Sequence, residues 1–367
     1  MIIQERVQQT RLEQLTHTPV FYNPANGEEK AALLQLLRNH PQIRVYDELY
    51  GQLKELIKSL HPTRPLTPQE SDEAVQRHLN GVPAEDYGMW VYYPWAEKLV
   101  HLLGEKEFIA MRTSRNLHKI TVEERDVLGA KKIGVIGLSV GQSIAVTLAM
   151  ERIGGELRLA DFDTVELSNL NRLRTAVFNL GMPKVILAAR EIAELDPYLK
   201  VVCFTDGATE ENLDAFMTGG GKLDVLVEEC DGVDVKIMSR KKAKTLQVPV
   251  VMDTNDRGML DIERYDLDPT YPLLHGLIPD IADLKTLKHL TNEEKIPILG
   301  PMAGMAHMSP RMKYSLGEVG KTITTWPQLA SSVMLGGAMV ADTCRRILLN
   351  QLQSSGRYYV DFDQLIQ

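Results

Sequence analysis

One stretch of the chain sets acids, amides and cations side by side: Asp161-Phe162-Asp163-Thr164-Val165-Glu166-Leu167-Ser168-Asn169-Leu170-Asn171-Arg172, then Gly181-Met182-Pro183-Lys184. Such a set suits a polyphosphate about to lose a leaving group, because negative charge builds on the leaving oxygens and fixed cations stabilise it. Glu228-Glu229-Cys230-Asp231 adds hard carboxylate oxygens that suit Mg2+, directly or through water. Upstream stands Gly134-Val135-Ile136-Gly137-Leu138-Ser139-Val140-Gly141. Its glycines allow a tight turn, and the helix after it offers free N–H groups to phosphate. The spacing is not a clean GxGxxG, since Ser139 replaces the second glycine. Asp161, about twenty residues past Gly141, is placed to bind a ribose hydroxyl. To that point an NAD(P)-dependent oxidoreductase fits equally well. The Arg172 and Lys184 group separates the two readings, because the pyrophosphate of a dinucleotide is held by the glycine turn alone.

Each residue also has a plain structural reading. Asp163 suits a turn cap, Asn169 and Asn171 suit turns, and Lys184 suits the exposed first turn of a helix. Together the structural reading weakens, because all of them fall at strand ends and in order.

These residues need a scaffold that gathers strand ends. From Lys131 onward, short apolar runs alternate with helical spacing. Strands are expected at Lys132–Ile136, Glu156–Ala160, Lys200–Phe204, Leu223–Val227 and Val248–Met252, and helices at Ile144–Met150 and Pro183–Leu195. The pattern implies an α/β, Rossmann-like fold, a largely parallel sheet covered by helices on both faces, with ligands beyond the carboxyl ends of the strands. A closing helix is expected over Gln328–Leu349, with Gly336-Gly337 allowing close backbone packing. The Met302, Met305, Met308 and Met312 stripe reads as core filling. Residues 1–105 read as a helical N-terminal subdomain. Leu49, Leu53, Leu56 and Ile57 keep helical spacing, Thr67 before Pro68 and Glu70 reads as a cap, and aromatic residues Tyr87–Trp95 precede a further helix, Ala96–Leu103. Residues 106–367 form the second domain.

A formal charge of −8 argues against a nucleic-acid or membrane-surface binder, which needs a dense positive field. The opening MIIQERVQQTRLEQL carries charge where a signal peptide needs an apolar run, so the expected location is the cytoplasm. Cys203, Cys230 and Cys344 are widely spaced and no CxxC occurs, which leaves neither a disulfide framework nor a zinc site.

At the DFDTVELSNLNR string, the GMPK after it and the EECD beyond, the chain resembles the ThiF/MoeB-type activating enzymes, which are similar to ubiquitin-activating enzymes. Arg112-Thr113-Ser114-Arg115-Asn116 resembles the RYxRQ segment that opens those domains. The glycine turn is one residue shorter than the family's GxGGxGS. The resemblance implies ATP- and Mg2+-dependent adenylation of a carboxylate, either a small molecule or the C-terminal glycine of a small protein or peptide. It implies that Gly137 and Gly141 cradle the phosphates and Asp161 binds the ribose, with Ser139 and Asp163 completing the nucleotide site. Asn169 and Arg172 would contact phosphates near the reacting centre, and Lys184 would neutralise the developing charge. Asp231 would bind Mg2+, and Arg115 would reach the ATP site of the partner in a homodimer.

Family members that form a thioester use a downstream cysteine, and many bind zinc through two CxxC pairs. Here Thr254 to Met259 reads Thr-Asn-Asp-Arg-Gly-Met, so transthiolation and zinc are not expected. Asp253, Asn255, Asp256 and Arg257 are candidates for binding the final acceptor. The first hundred residues resemble the leader of a bacterial ThiF-like group whose longer members continue into a nitroreductase-like domain, which here would be a separate partner. Besides the oxidoreductase, a family member that binds nucleotide or a partner without turnover is the alternative.

Overall fold

Alternation of two residues, not helical spacing, governs the aromatic segment of the N-terminal half. In Met89-Trp90-Val91-Tyr92-Tyr93 the inward positions Val91 and Tyr93 are buried, and in Lys98–Leu102 the buried residues are Leu99 and His101. That is the period of a strand. In the computed structural model, which describes residues 2–5, 15–278, 298 and 300–366, these segments are strands. Most of the charged opening segment lies outside the described residues.

The chain divides into two compact units, 1–122 and 123–367, so Arg112 to Asn116 belong to the first. The first unit holds four strands, β1 (Val20–Tyr22), β2 (Arg44–Asp47), β3 (Met89–Tyr93) and β4 (Lys98–Leu102), in the order β1-β3-β4-β2. The expected helical subdomain is therefore corrected to a mixed α and β unit. The expected helix over Ala96–Leu103 is the turn and strand of a β3–β4 hairpin, with Glu97 in the left-handed region at its corner and Trp90 stacked 4.1 Å above His101. After α1 (Gly27–Asn39), two expected helices form, α2 (Leu49–Leu60) and α3 (Pro68–Leu79), and α4 (Glu105–Arg112) follows the hairpin. Thr67 and Glu70 make the reciprocal capping box that starts α3. Leu49, Leu53, Leu56 and Ile57 form one buried stripe against Ala74, Val75 and Leu79.

The second unit is built on seven strands: β5 (Lys132–Ile136), β6 (Glu156–Ala160), β7 (Lys200–Phe204), β8 (Val225–Glu228), β9 (Val250–Thr254), β10 (Met259–Glu263) and β11 (Gly356–Tyr359), ordered β11-β10-β9-β8-β5-β6-β7. From β7 to β9 all neighbours are parallel, and β10 and β11 add an antiparallel edge. Three strands have the bounds read from sequence. β8 and β9 start two residues later than expected, because Leu223 and Val248 are spent on turns: their N–H groups donate to Met217 and Ala243 before the ladder begins. Helices α5 (Gly141–Glu151), α6 (Lys184–Leu195), α7 (Val233–Leu246) and α8 (Ala330–Leu348) bury apolar faces, and α8 packs along α5 and against β9. Of the methionine stripe only Met302 is fully buried, against Val233, Ile237 and Leu274.

The chain leaves β5 toward β6 and β7, then returns to the other side of β5 as β8. The carboxyl ends of β5 and β8 therefore flank the switch point where α/β sheets bind ligands.

Candidate functional site

Gly137 ends β5 with φ at +84°, and a Cβ there would meet Cys230 N and Glu229 C at 2.7 Å. The glycine is required twice, by its left-handed backbone and by the chain leaving β8. After the turn Leu138–Val140, Gly141 opens α5, where a Cβ would lie 2.8 Å from Val135 Cγ1.

Asp161, just past β6, is 8% exposed. One carboxylate oxygen accepts from Leu138 N at 2.6 Å and the other from Asp163 N at 2.7 Å. It fastens the end of β6 to the glycine turn. Burial raises its carboxyl above the usual value, against the pull of those two N–H groups and of Lys184. Lys184, the first residue of α6, is buried, which excludes the exposed first-turn reading. Its Nζ donates to Ser139 Oγ at 2.9 Å and to Asp163 Oδ2 at 2.8 Å, so the lysine joins the glycine turn to the acidic string.

Arg172 is half-buried. Its Nη1 donates to Asn171 Oδ1 at 2.9 Å, while its Nε is buried with no partner. Lost hydration lowers its basicity, and Asp231 opposes that shift. Asp231 stands exposed in the loop after β8, yet nearby chain withdraws enough water to raise its carboxyl, against the pull of Lys236, Lys184 and Arg172. Arg172, Lys184 and Asp231, far apart in sequence, thus act on one another in one place. Ser139 and Arg172 also line one cleft with Gln142, Ser143, Arg174 and Met334. Sequence reasoning passed over Gln142 and Arg174. Both are held by Glu191 of α6, and Arg174 follows Arg172 at a spacing that carries no signal of its own.

Several other residues singled out in the sequence also tie the scaffold together. Asn169 Oδ1 accepts from Glu166 N and caps the short helical turn Leu167–Asn171, while Asn171 donates to Gln328 O at 2.7 Å. Glu228 is fully buried between Lys236 and Arg240, and Arg240 also pairs with the buried Glu263. Asp256 accepts from Ser309 N and Oγ, and Arg257 pairs with Asp361 and donates to His307 O, so these two acceptor candidates are loop ties. Asp253 and Asn255 keep buried oxygens without partners. Arg115 is exposed in a short turn, Ser114–Asn116, of the first unit.

Lost hydration raises all three thiols: Cys203 is pushed up to about 12, and Cys230 and Cys344 are pushed well up as well. Burial thus disfavours the thiolate at all three. Among the described residues no three His, Cys, Asp or Glu side chains form a metal cage. A Mg2+ held by one carboxylate and the phosphates of a substrate needs none, and Asp231 suits that arrangement. Among the described residues, no helix is long and apolar enough to cross a membrane.

A sequence model described as the ThiF family matches residues 113–364. The chain is 44% identical over 336 residues to the uncharacterized protein MT1398 of Mycobacterium tuberculosis, covering 92% of this chain and 44% of that protein. It is 29% identical over 156 residues to the tRNA threonylcarbamoyladenosine dehydratase of Bacillus subtilis, covering 42% of this chain and 60% of that one. It is 27% identical over 183 residues to the molybdopterin-synthase adenylyltransferase of Haemophilus influenzae, covering 49% of this chain and 72% of that one. The chain thus spans less than half the length of the mycobacterial relative.

Proposed function

The chain belongs to the ThiF family, and from the site it carries we propose that it activates a carboxylate with ATP, as a nucleotidyltransferase. The observation that carries this reading is the buried Lys184 and the unpartnered Arg172 Nε gathered beside Asp231 and the glycine turn. That donor set fits a polyphosphate under attack, where charge develops on oxygen, and has no use in hydride transfer.

The substrate carboxylate, already ionised at neutral pH, attacks the α-phosphorus and needs no protein base. Its oxygen bonds to phosphorus, the bond to the bridging oxygen breaks, and pyrophosphate leaves with the electron pair. Backbone N–H groups of the turn from Gly137 to Gly141 hold phosphate, Asp161 offers its remaining lone pairs to the ribose, and Asn169 keeps the Arg172 turn in shape. Arg172 and Lys184 carry the developing charge. Mg2+, bound at Asp231, would supply further charge neutralisation on the phosphates. Arg115 is assigned to the nucleotide of a partner subunit, as an arginine finger in a homodimer. With all three thiols raised above their ordinary value, the acyl-adenylate passes to a nucleophile brought by an acceptor, not to a cysteine of this chain.

The test is thermal stability with Mg-ATP, with NAD+ and with neither, beside ATP–pyrophosphate exchange with a synthetic peptide ending in glycine. Protection by Mg-ATP that disappears in a Lys184→Ala, Asp231→Ala variant, together with exchange, supports the reading. Protection by NAD+ alone would replace it with the oxidoreductase. Protection by ATP without exchange under any carboxylate would leave a binder without turnover.

A further inference from the structure

At the carboxyl end of β9 four buried oxygens have no hydrogen-bond partner: Asp253 Oδ1, Asp253 Oδ2, Thr254 Oγ1 and Asn255 Oδ1. Asp253 is 5% exposed, lodged against Gly336 of α8 so closely that a Cβ there would collide with its carboxylate. The cluster belongs to the same ligand edge as the glycine turn. Asp253 N donates to Glu229 Oε1 at 2.9 Å, and Glu229 Cβ lies 3.8 Å from where a Cβ on Gly141 would stand.

Three of the four oxygens are acceptors only, and a buried acceptor left unmade is costly. The complement is a small group rich in donors. A single carboxylate with both oxygens free matches a single positive charge, whereas a divalent cation wants a fuller set of anionic oxygens, and Glu229 is already engaged by Asp253 N. An ammonium, with three N–H donors, fits.

We propose that Asp253, Thr254 and Asn255 seat the primary amine of the acceptor, and that Asp253 takes its proton as the amine attacks the acyl-adenylate. This rests on the adenylation reading. The ammonium gives one proton to the Asp253 carboxylate. Its nitrogen then bonds to the acyl carbon, the carbon–oxygen bond to phosphate breaks, and AMP leaves with the electron pair. The second nitrogen proton passes to water, and the product is an amide. Burial raises the Asp253 carboxyl above its ordinary value, with Lys236 pulling against it, a direction that makes it a stronger base than a solvated aspartate.

The experiment uses the full chain and Asp253→Asn, an isosteric change that removes a buried charge. Crystals of both are soaked in n-propylammonium chloride, and both are assayed for pyrophosphate exchange and for the propylamide of the glycine-ended peptide. In the wild-type protein the propylammonium nitrogen should lie within hydrogen-bond distance of Asp253 and Asn255. Asp253→Asn should lose that density, keep exchange, and form propylamide at least ~10²-fold more slowly. Hydroxylamine, largely neutral at pH 7, should restore acyl transfer in the variant to the wild-type rate. Water or a metal ion at Asp253 in place of propylammonium, or equal propylamide rates, would overturn the proposal. Propylammonium in place with no exchange in either protein would support the seat, bring down the adenylation reading, and with it overturn the proton transfer to Asp253.

Discussion

Lys184 Nζ stands 2.8 Å from Asp163 Oδ2, with the lysine side chain 6% exposed and the aspartate 52% exposed. The pair is lopsided: the cation has given up its water and the anion has not. Such an ammonium is available to a phosphate that displaces the aspartate. Lys184→Ala should lower pyrophosphate exchange by about 10²-fold or more. Asp163→Ala leaves the buried ammonium with Ser139 Oγ and no counter-ion, and should lower folding stability by about 1–3 kcal/mol. Exchange assays and urea titrations of the two variants separate these roles.

Gly137→Ala places a methyl group 2.7 Å from Cys230 N on a backbone with φ at +84°. The expected cost is about 2 kcal/mol or more, from strain and collision together. The ends of β5 and β8 must part to admit it, so protection by Mg-ATP should also be lost. Denaturant unfolding and thermal shift with nucleotide read the two effects.

Arg240 is completely buried between Glu228 and Glu263. Arg240→Ala leaves two carboxylates without their shared partner, and such losses cost about 3–5 kcal/mol. Expression in inclusion bodies, or a large drop in the urea midpoint, is the expected result. Arg240→Lys should recover only part of the loss, because an ammonium lacks the planar fork that reaches both acids.

Glu156 couples stability to pH. Burial alone would raise its carboxyl, but hydrogen bonds from Lys200, Arg158 and Lys132 outweigh that and hold it at about 2, against 4.5 when free. Its folded value lies below its unfolded one, so its contribution is complete above about pH 4.5 and is lost as pH falls toward 2. The contribution is about 3 kcal/mol, from the fall of about 2.5 at ~1.36 kcal/mol per pH unit. Unfolding measured from pH 7 down to pH 2 should show this loss in the wild-type protein, and Glu156→Gln should flatten it.

Arg115→Ala should lower adenylation by about 10³-fold if the arginine serves a neighbouring subunit's nucleotide. Mixing it with a Lys184→Ala protein should restore part of the activity, because one site in the mixed dimer is then whole. No recovery on mixing, or full activity of Arg115→Ala alone, removes the arginine finger.

Strands β5, β6 and β7 were legible residue for residue as short runs rich in apolar side chains, β5 and β6 buried along almost their whole length and β7 half-buried at the sheet edge. The N-terminal strands were harder, because Trp90, Tyr92 and Trp95 are apolar at every register and only the burial of Val91 and Tyr93 exposes the period. In the site, Lys184 and Arg172 were legible because cations at strand ends have few structural uses. Asn169 and Asn171 were ambiguous for the opposite reason, since an amide serves a turn and a ligand equally well. The partnerless oxygens of Asp253 could not be read at all. Whether a carboxylate is satisfied depends on which segments fold over it, and here that segment is α8.

Gly336 and Asp253 leave no room between them for a methyl group, and Gly337 is set as tightly against Ser143. Substitutions at these positions are therefore not independent. Where a homologous chain carries a small residue in place of Asp253, the position of Gly336 is free to enlarge; where the aspartate is kept, the glycine must be kept with it. A covariation of this kind would let a reader of sequences alone pick out chains that retain the carboxylate in the same buried setting.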